Sequence, residues 1–339
     1  MRRHTAWIRR VTLSNIMRFS VYDGVFSPAA CTLLHAFSSW DHSSIVARNT
    51  LLEGALTCNG GTRCFDRRNP ATPLEFALES FLSTLANDDE PQFVEYWTRQ
   101  NWAHVKAHAD MDEYYKDVFP DMPPRHPTNG HVLYLSVGAQ VRGPTCVWEG
   151  TADSPFGGNM AVVPAVSGRL LRFDGALQHA VPKPADVWLN SKPALKGDDD
   201  VAEPEEMIRS VVLFNTWREP PADLLRETGS GAWDSISPDD VRCSPRHAWQ
   251  KAPLATPLGG RQTGVMRLAL LGGETRRGYA AESIEVPVNH DVLRCALDAN
   301  NTATVVPPPA QVHEAHEGRV VPATVSYPPL GVGAATAGG

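Results

Sequence analysis

Between residues 102 and 221 the chain breaks into short β-type runs cut apart by glycine, proline and asparagine. The runs are HVLYLSVG (131–138), PTCVWEG (144–150), MAVVPAV (160–166), GRLLRFDG (168–175) and RSVVLFNTW (209–217). Several short strands with turn signals between them predict a β-sandwich or barrel. Upstream, RFSVYD (18–23) alternates like one more strand. Ser27-Pro28 then opens the apolar-periodic run AACTLLHAFSSW, which predicts a helix capped by Ser27. Thr72-Pro73 opens a second helix, PLEFALESFLSTLAN, in which Leu74, Ala77, Phe81 and Leu85 fall on one face. The stretch 58–71 between them, rich in Asn, Gly and Arg, reads as a loop. Two helices ahead of such strands suggest helices packed on one sheet. The fold class expected is mainly β with flanking helices.

The remaining segments divide the chain. Residues 1–17 form a basic N-terminal segment: the first nineteen residues hold five arginines and no acid precedes Asp23. That composition is shared by organellar transit peptides and by ragged basic termini. The expected location is cytoplasmic, with organellar targeting as the alternative. Residues 18–225 are the expected main domain, and 226–305 a C-terminal extension. In that extension GVMRLALLGG and ESIEVPV read as strands and VNHDVLRCAL as a short helix. The tail, 306–339, is Pro-, Ala- and Gly-rich, without the aromatics to build a core, and reads as disordered. Residues 190–206, acidic and Pro-containing, read as a surface insertion between two strands. A net charge of −7 with no Lys/Arg-dense stripe argues against a nucleic-acid partner. No apolar run approaches the roughly 20 residues that cross a bilayer, so no membrane span is expected. The six cysteines are scattered with no CxxC pair, and read mostly as reduced thiols. Cys58 and Cys64 flank a Gly-Gly turn and form the one bridge the spacing suggests.

The segment WAHVKAHADMDEYY carries the chemistry. In an extended chain, residues two apart point the same way, so His108 and Asp110 project together. An imidazole and a carboxylate suit a divalent ion of borderline hardness. A third ligand completes a 2-His-1-carboxylate face with open positions for other ligands. His179 is the best candidate, because GRLLRFDGALQHAV reads as a strand, a tight Asp-Gly turn and a return. His126 and His131 are alternatives, with His131 better read as structural. His104 and His108 form an HxxxH pair that could hold zinc, but without the glutamate of an HExxH site. Arg209 begins RSVVLFNTW. If that run is a strand, Arg209, Val211, Leu213 and Asn215 share one face while Val212 and Phe214 line the other. A buried arginine demands an anion, and its fork can hold a carboxylate through two parallel hydrogen bonds. Tyr134 is equally a core residue and a hydrogen-bonding group for such an anion. Trp148 and Trp217 read as core, and His313 and His316, in the tail, have no catalytic reading.

HAD (108–110), His179 behind GRLLRFDGALQHAV, and Arg209 in RSVVLFNTW together resemble the 2-oxoglutarate/iron(II) oxygenase superfamily, most closely its prolyl-4-hydroxylase-like branch. The resemblance covers residues 18–221. It implies a double-stranded β-helix, the jelly roll of the cupins. It implies iron(II) on His108, Asp110 and His179, with 2-oxoglutarate as cosubstrate on Arg209, Tyr134 being a further candidate contact. Dioxygen would be consumed with release of succinate and carbon dioxide, a protein side chain or a small molecule would be hydroxylated, and ascorbate is a compatible reductant. The thirty residues from His179 to Arg209 are long for the family, and the insertion at 190–206 accounts for them if it is a loop. Many prolyl hydroxylases carry lysine at the basic position; Lys183 and Lys192 are the weaker candidates here. Asp110 favours hydroxylation over halogenation. Asn215 stands where nucleic-acid demethylases of the superfamily carry a second arginine. Two other readings share the architecture: a catalytically silent jelly-roll binding module, and a cupin-type metal-dependent isomerase or hydrolase.

Overall fold

A computed structural model describes residues 18–51, 62–85, 91–102, 105–138, 143–150, 159–181, 208–221, 236–253, 263–268, 282–287, 291–297 and 303–305. The basic N-terminal segment, the acidic insertion and the tail lie outside the described residues, as do Cys58, His104, Lys183, Lys192, His313 and His316.

The helix predicted behind Ser27 is α1 (Pro28–Leu51), longer than the apolar run suggested. The Ser27 hydroxyl accepts from the Ala30 amide at 3.1 Å. The second is α2 (Pro73–Leu85). Thr72 Oγ1 accepts from the Glu75 amide at 3.2 Å, and the Glu75 carboxylate reaches back to the Ala71 amide at 2.6 Å. That reciprocal arrangement, close to a capping box, satisfies two donors that the helix leaves free. A third, short helix, α3 (Glu113–Val118), follows the HAD segment.

The strands run β1 (Phe19–Asp23), β2 (Arg63–Asp66), β3 (Phe93–Asn101), β4 (Val105–His108), β5 (Asn129–Val137), β6 (Thr145–Trp148), β7 (Asn159–Val163), β8 (Leu170–Asp174), β9 (His179–Val181) and β10 (Ile208–Trp217). Beyond them come β11 (Gln250–Lys251), β12 (Thr263–Leu268), β13 (Glu282–Pro287), β14 (Leu293–Leu297) and β15 (Ala303–Val305). They form two larger antiparallel sheets, ordered β11-β1-β8-β5-β10-β3-β2 and β15-β14-β7-β6-β9-β4. β12 and β13 pair with each other. From β3 to β10 every step along the chain crosses from one large sheet to the other, except β6 to β7. The chain is thus mostly β with helices packed on one sheet, as expected.

Two cores result. Leu34 of α1 and Leu74, Leu78 and Phe81 of α2 pack on Leu133, Val212 and Phe214 of the larger sheet. Between the sheets, Val132, Tyr134, Leu171, Phe173 and Val211 meet Val147, Ala161 and Val163. β10 is buried on both faces, with Val212 and Phe214 toward the helices and Val211 toward the other sheet.

Three expectations need correction. Residues 63–66 are strand β2, not loop: Arg63 and Phe65 are buried and the strand pairs with β3. β3 itself lies in a stretch where no strand was expected; its apolar residues Val94 and Tyr96 face the helices, and polar ones alternate with them. Residues 293–297, expected as a short helix, are strand β14, because β7 offers an open edge with which they pair. Part of the 226–305 segment also enters the main body. β11 pairs with β1, and Val241 and Cys243 join the helix-side core. Cys31 and Cys243 are buried thiols. Among the described residues, no helix is long and apolar enough to cross a membrane.

Phe81 is fully buried against His131, Phe214 and Trp249. Phe81→Ala should therefore cost about 3–5 kcal/mol, read as a lowered midpoint in urea unfolding.

Candidate metal centre

His108 ends β4 and His179 begins β9, and the two are register partners across the antiparallel pair. Their rings lie 4.4 Å apart between centroids, tilted by 49°. Asp110 follows two residues after His108, in a segment fixed from behind. Asp112 caps α3 by accepting from the Tyr115 amide at 2.9 Å, and its own amide donates to the Arg125 carbonyl at 2.9 Å. The Asp110 carboxylate therefore bridges both rings. Its Oδ1 is 3.4 Å from His108 Nε2 and its Oδ2 is 3.7 Å from His179 Nε2. One donor atom from each residue lies within 4.8 Å of the others. Two imidazole nitrogens and one carboxylate oxygen converging this closely fit a divalent transition-metal ion.

The tight turn after β8 aims His179. The Leu177 amide donates to the Asp174 carbonyl at 2.9 Å, and the Ala176 amide to the Asp174 side chain at 3.1 Å. His179 Nδ1 lies 3.3 Å from the Leu177 carbonyl. Only a protonated Nδ1 can donate there, which leaves the Nε2 lone pair for a cation. Phe173 packs 5.0 Å from the His179 ring. It has room because residue 130 is glycine; a Cβ there would lie 2.7 Å from the Phe173 ring.

The charge states suit metal binding. Burial works to raise the Asp110 pKa, but the positive charge of His179 and the hydrogen bond and charge of His108 outweigh it, bringing it down to about 2. Burial lowers the pKa of His179, partly offset by Asp110. Burial thus favours a neutral His179 beside an ionised Asp110, the form in which the two coordinate a cation. The Asn215 amide beside Asp110 also helps to hold its pKa down. Asn215 in turn reaches Glu95 Oε2 at 3.4 Å, and Trp217 Nε1 donates to the same oxygen at 2.9 Å. Burial pushes Glu95 up to about 7 against those two hydrogen bonds, with Asp110 and Asp112 adding to the rise.

Arg209 is 2% exposed. Its Nε donates to the Gly143 carbonyl at 2.9 Å and its Nη2 to Thr145 Oγ1 at 3.1 Å. Gly143 can approach because it has no Cβ; one would stand 2.4 Å from the Trp102 indole. The guanidinium lies 5.2 Å from the centre of the Tyr134 ring, and the Tyr134 hydroxyl is 2.7 Å from Thr145 Oγ1. Among the described residues no carboxylate lies within ion-pair distance of Arg209. Thr145 stands two residues before Val147, and Val147 pairs with His179. Two strand residues span roughly 7 Å, so the guanidinium cluster and the metal face border one space between the sheets.

The structure thus brings His108, Asp110 and His179 together, and Arg209 and Tyr134 beside each other. It sets His126 and His131 apart from these three, and His104 lies outside the described residues. His126 Nδ1 contacts the Asp110 backbone carbonyl at 2.7 Å. His131 stacks on Phe214 at 4.2 Å in the helix-side core. Trp148 and Trp217 are buried. Sequence reasoning missed Glu95, Arg99 and Thr145. The alternation of Glu95, Trp97 and Arg99 with Val94, Tyr96 and Thr98 was the signal for the first two.

No family model matches the chain, and no curated protein does. Solved structures that resemble it include HygX from Streptomyces hygroscopicus with nickel and 2-oxoglutarate bound, at 16% identity and TM-score 0.30, covering 58% of this chain and 81% of that one. A Pseudomonas putida prolyl-4-hydroxylase aligns at 14% identity and TM-score 0.30, over 60% and 89% of the two chains. The non-heme monooxygenase ThoJ, as a nickel complex, aligns at 13% identity and TM-score 0.33, over 63% and 82%. Likenesses of this size carry no argument about the chain's activity.

Glu95 gives the site a pH signature in the metal-free protein. Its folded pKa, about 7, lies above the ordinary 4.5. Its contribution to stability is thus full below pH 4.5 and is lost as pH rises through about 7. Glu95→Gln should remove that loss, so the variant gains on wild type across this window in thermal melts taken at successive pH values. Parallel melting curves would refute the assignment.

Proposed function

We propose that the chain is an iron(II)- and 2-oxoglutarate-dependent oxygenase on a double-stranded β-helix, of the prolyl-4-hydroxylase-like kind. The observation that carries this reading is the pairing of a His108, Asp110, His179 face with a buried guanidinium, Arg209, that has no carboxylate partner among the described residues. The strand alternation from β3 to β10 supports the fold assignment: four strands of one sheet, β8-β5-β10-β3, face four of the other, β7-β6-β9-β4.

On this reading each residue has a distinct task. His108, Asp110 and His179 would hold iron(II), a donor set that leaves room for other ligands. Arg209 fixes the distal carboxylate of 2-oxoglutarate, with Thr145 and Tyr134 keeping the guanidinium in place. The bound iron, cosubstrate and dioxygen supply the oxidising power for inserting oxygen into a substrate C–H bond. Asn215 orients the Asp110 carboxylate, and the Leu177 carbonyl fixes the His179 tautomer. The helix-packed sheet behind them keeps bulk water from the buried side of the site.

The test is spectroscopic. Anaerobic protein given iron(II) and 2-oxoglutarate should show the weak visible charge-transfer band of an iron-bound 2-oxo acid. Asp110→Ala and His179→Ala should lose the metal and the band together. Arg209→Ala should keep the metal and weaken 2-oxoglutarate by about tenfold or more, the scale of a charge-assisted pair. Folded wild-type protein that binds iron but gives no band overturns the reading.

A further inference from the structure

Arg99 is a second guanidinium at the same site, and nothing in the proposed cosubstrate chemistry uses it. It sits on β3 opposite Val211 of β10. Val211 belongs to the core between the sheets, and directly opposed residues share a face. The neighbours confirm the alternation: Tyr96 and Val212 face the helices, and Gln100 accepts from Ser39 of α1 at 3.1 Å. Arg99 therefore points into the space between the sheets, where it feels the charges of Asp110, His179 and Arg209. It is only partly exposed. Among the described residues no carboxylate or hydrogen-bond acceptor lies within bonding distance of it.

A half-buried guanidinium without an anion is costly. Among the described residues its one electrostatic relief is Asp110, and that relief vanishes when a divalent cation takes the Asp110 carboxylate. The metal-loaded site then presents Arg99 with net positive charge nearby. Arg209 occupies the distal carboxylate of 2-oxoglutarate, and the other end of that molecule belongs to the metal. One anion is still missing. Beside Arg99 on the same face, Trp97 pairs with Leu213, which packs against the core between the sheets.

We propose that Arg99 receives a carboxylate of the substrate that is oxidised, so that the substrate is a carboxylic acid with an apolar or aromatic body resting near Trp97 and Leu213. This rests on the oxygenase reading and names its substrate class. The recognition is a charge-assisted pair of the guanidinium fork with two carboxylate oxygens. It sets the acid at the metal face from the β3 side, beside the end that Arg209 holds.

The experiment uses full-length protein loaded with zinc in place of iron, saturated with 2-oxoglutarate and followed by fluorine NMR. The probes are para-fluorophenylacetate and its neutral amide. Wild type should bind the acid about tenfold or more tightly than the amide. Arg99→Gln should bind both equally, and Arg99→Lys should recover part of the preference. Affinity for 2-oxoglutarate should be unchanged in Arg99→Gln, and its melting temperature should confirm folding. Equal binding of acid and amide by wild type overturns the proposal. So does a preference that survives Arg99→Gln. A loss of 2-oxoglutarate affinity in Arg99→Gln overturns it as well, because the cosubstrate is then the anion that Arg99 serves. The iron charge-transfer band of wild type is scored separately, so failure of the oxygenase reading is told apart from failure of the substrate class.

Discussion

Strand β10 has to bury both of its faces while carrying two polar side chains inward. Val212 and Phe214 seal the helix side, and Val211 seals the side between the sheets. Arg209 enters at one end of the strand and Asn215 near the other, each about 2% exposed. The strand satisfies its backbone by pairing on both edges, with β3 and β5. A slip of one residue would exchange the two faces, driving the guanidinium into the helix-side core. The register irregularities beside Arg209, on both the β3 and β5 edges, occur at the end of the strand where the guanidinium must be aimed. Bulges of this kind re-aim side chains next to functional sites. The rest of the site follows from that register: Glu95, Trp97 and Arg99 face inward because they oppose inward-facing residues of β10.

How far the site was legible depended on how local its signal was. His108 and Asp110 are two residues apart, so their convergence follows from an extended backbone alone. His179 was legible through its strand and Asp-Gly turn, though its opposition to His108 is a matter of pairing between β4 and β9. Arg209 was legible because apolar residues on both sides of it announced a strand buried on two faces. β3 was not. Its run FVEYWTRQN mixes apolar and charged residues, since one face packs on helices while the other lines a polar site. A strand that lines a polar site loses the apolar alternation by which strands are recognised. Arg99 and Glu95 were hidden for the same reason. β14 was misread because its edge pairing with β7 is tertiary and leaves no mark on the local sequence.

The remaining constraint is electrostatic. Among the described residues, Asp110, Arg209 and Arg99 in the space between the sheets form no ion pair with one another. Asp110 is drawn to the two imidazoles, and among the described residues Arg209 is held by Gly143, Thr145 and the Tyr134 ring. Arg99 has no bonded partner among the described residues. Hydrogen bonds to neutral groups satisfy the donors of a guanidinium but do not offset its charge. A cation on Asp110 settles one charge and sharpens that of Arg99, because among the described residues Asp110 is the carboxylate whose charge reaches it. On the proposed reading three added species balance the site: a cation on the histidine-carboxylate face, an anion on Arg209 and a second anion on Arg99. On that reading the arrangement is electrostatically complementary once filled, which is how a preorganised binding site differs from an ion-pair network that stabilises a fold.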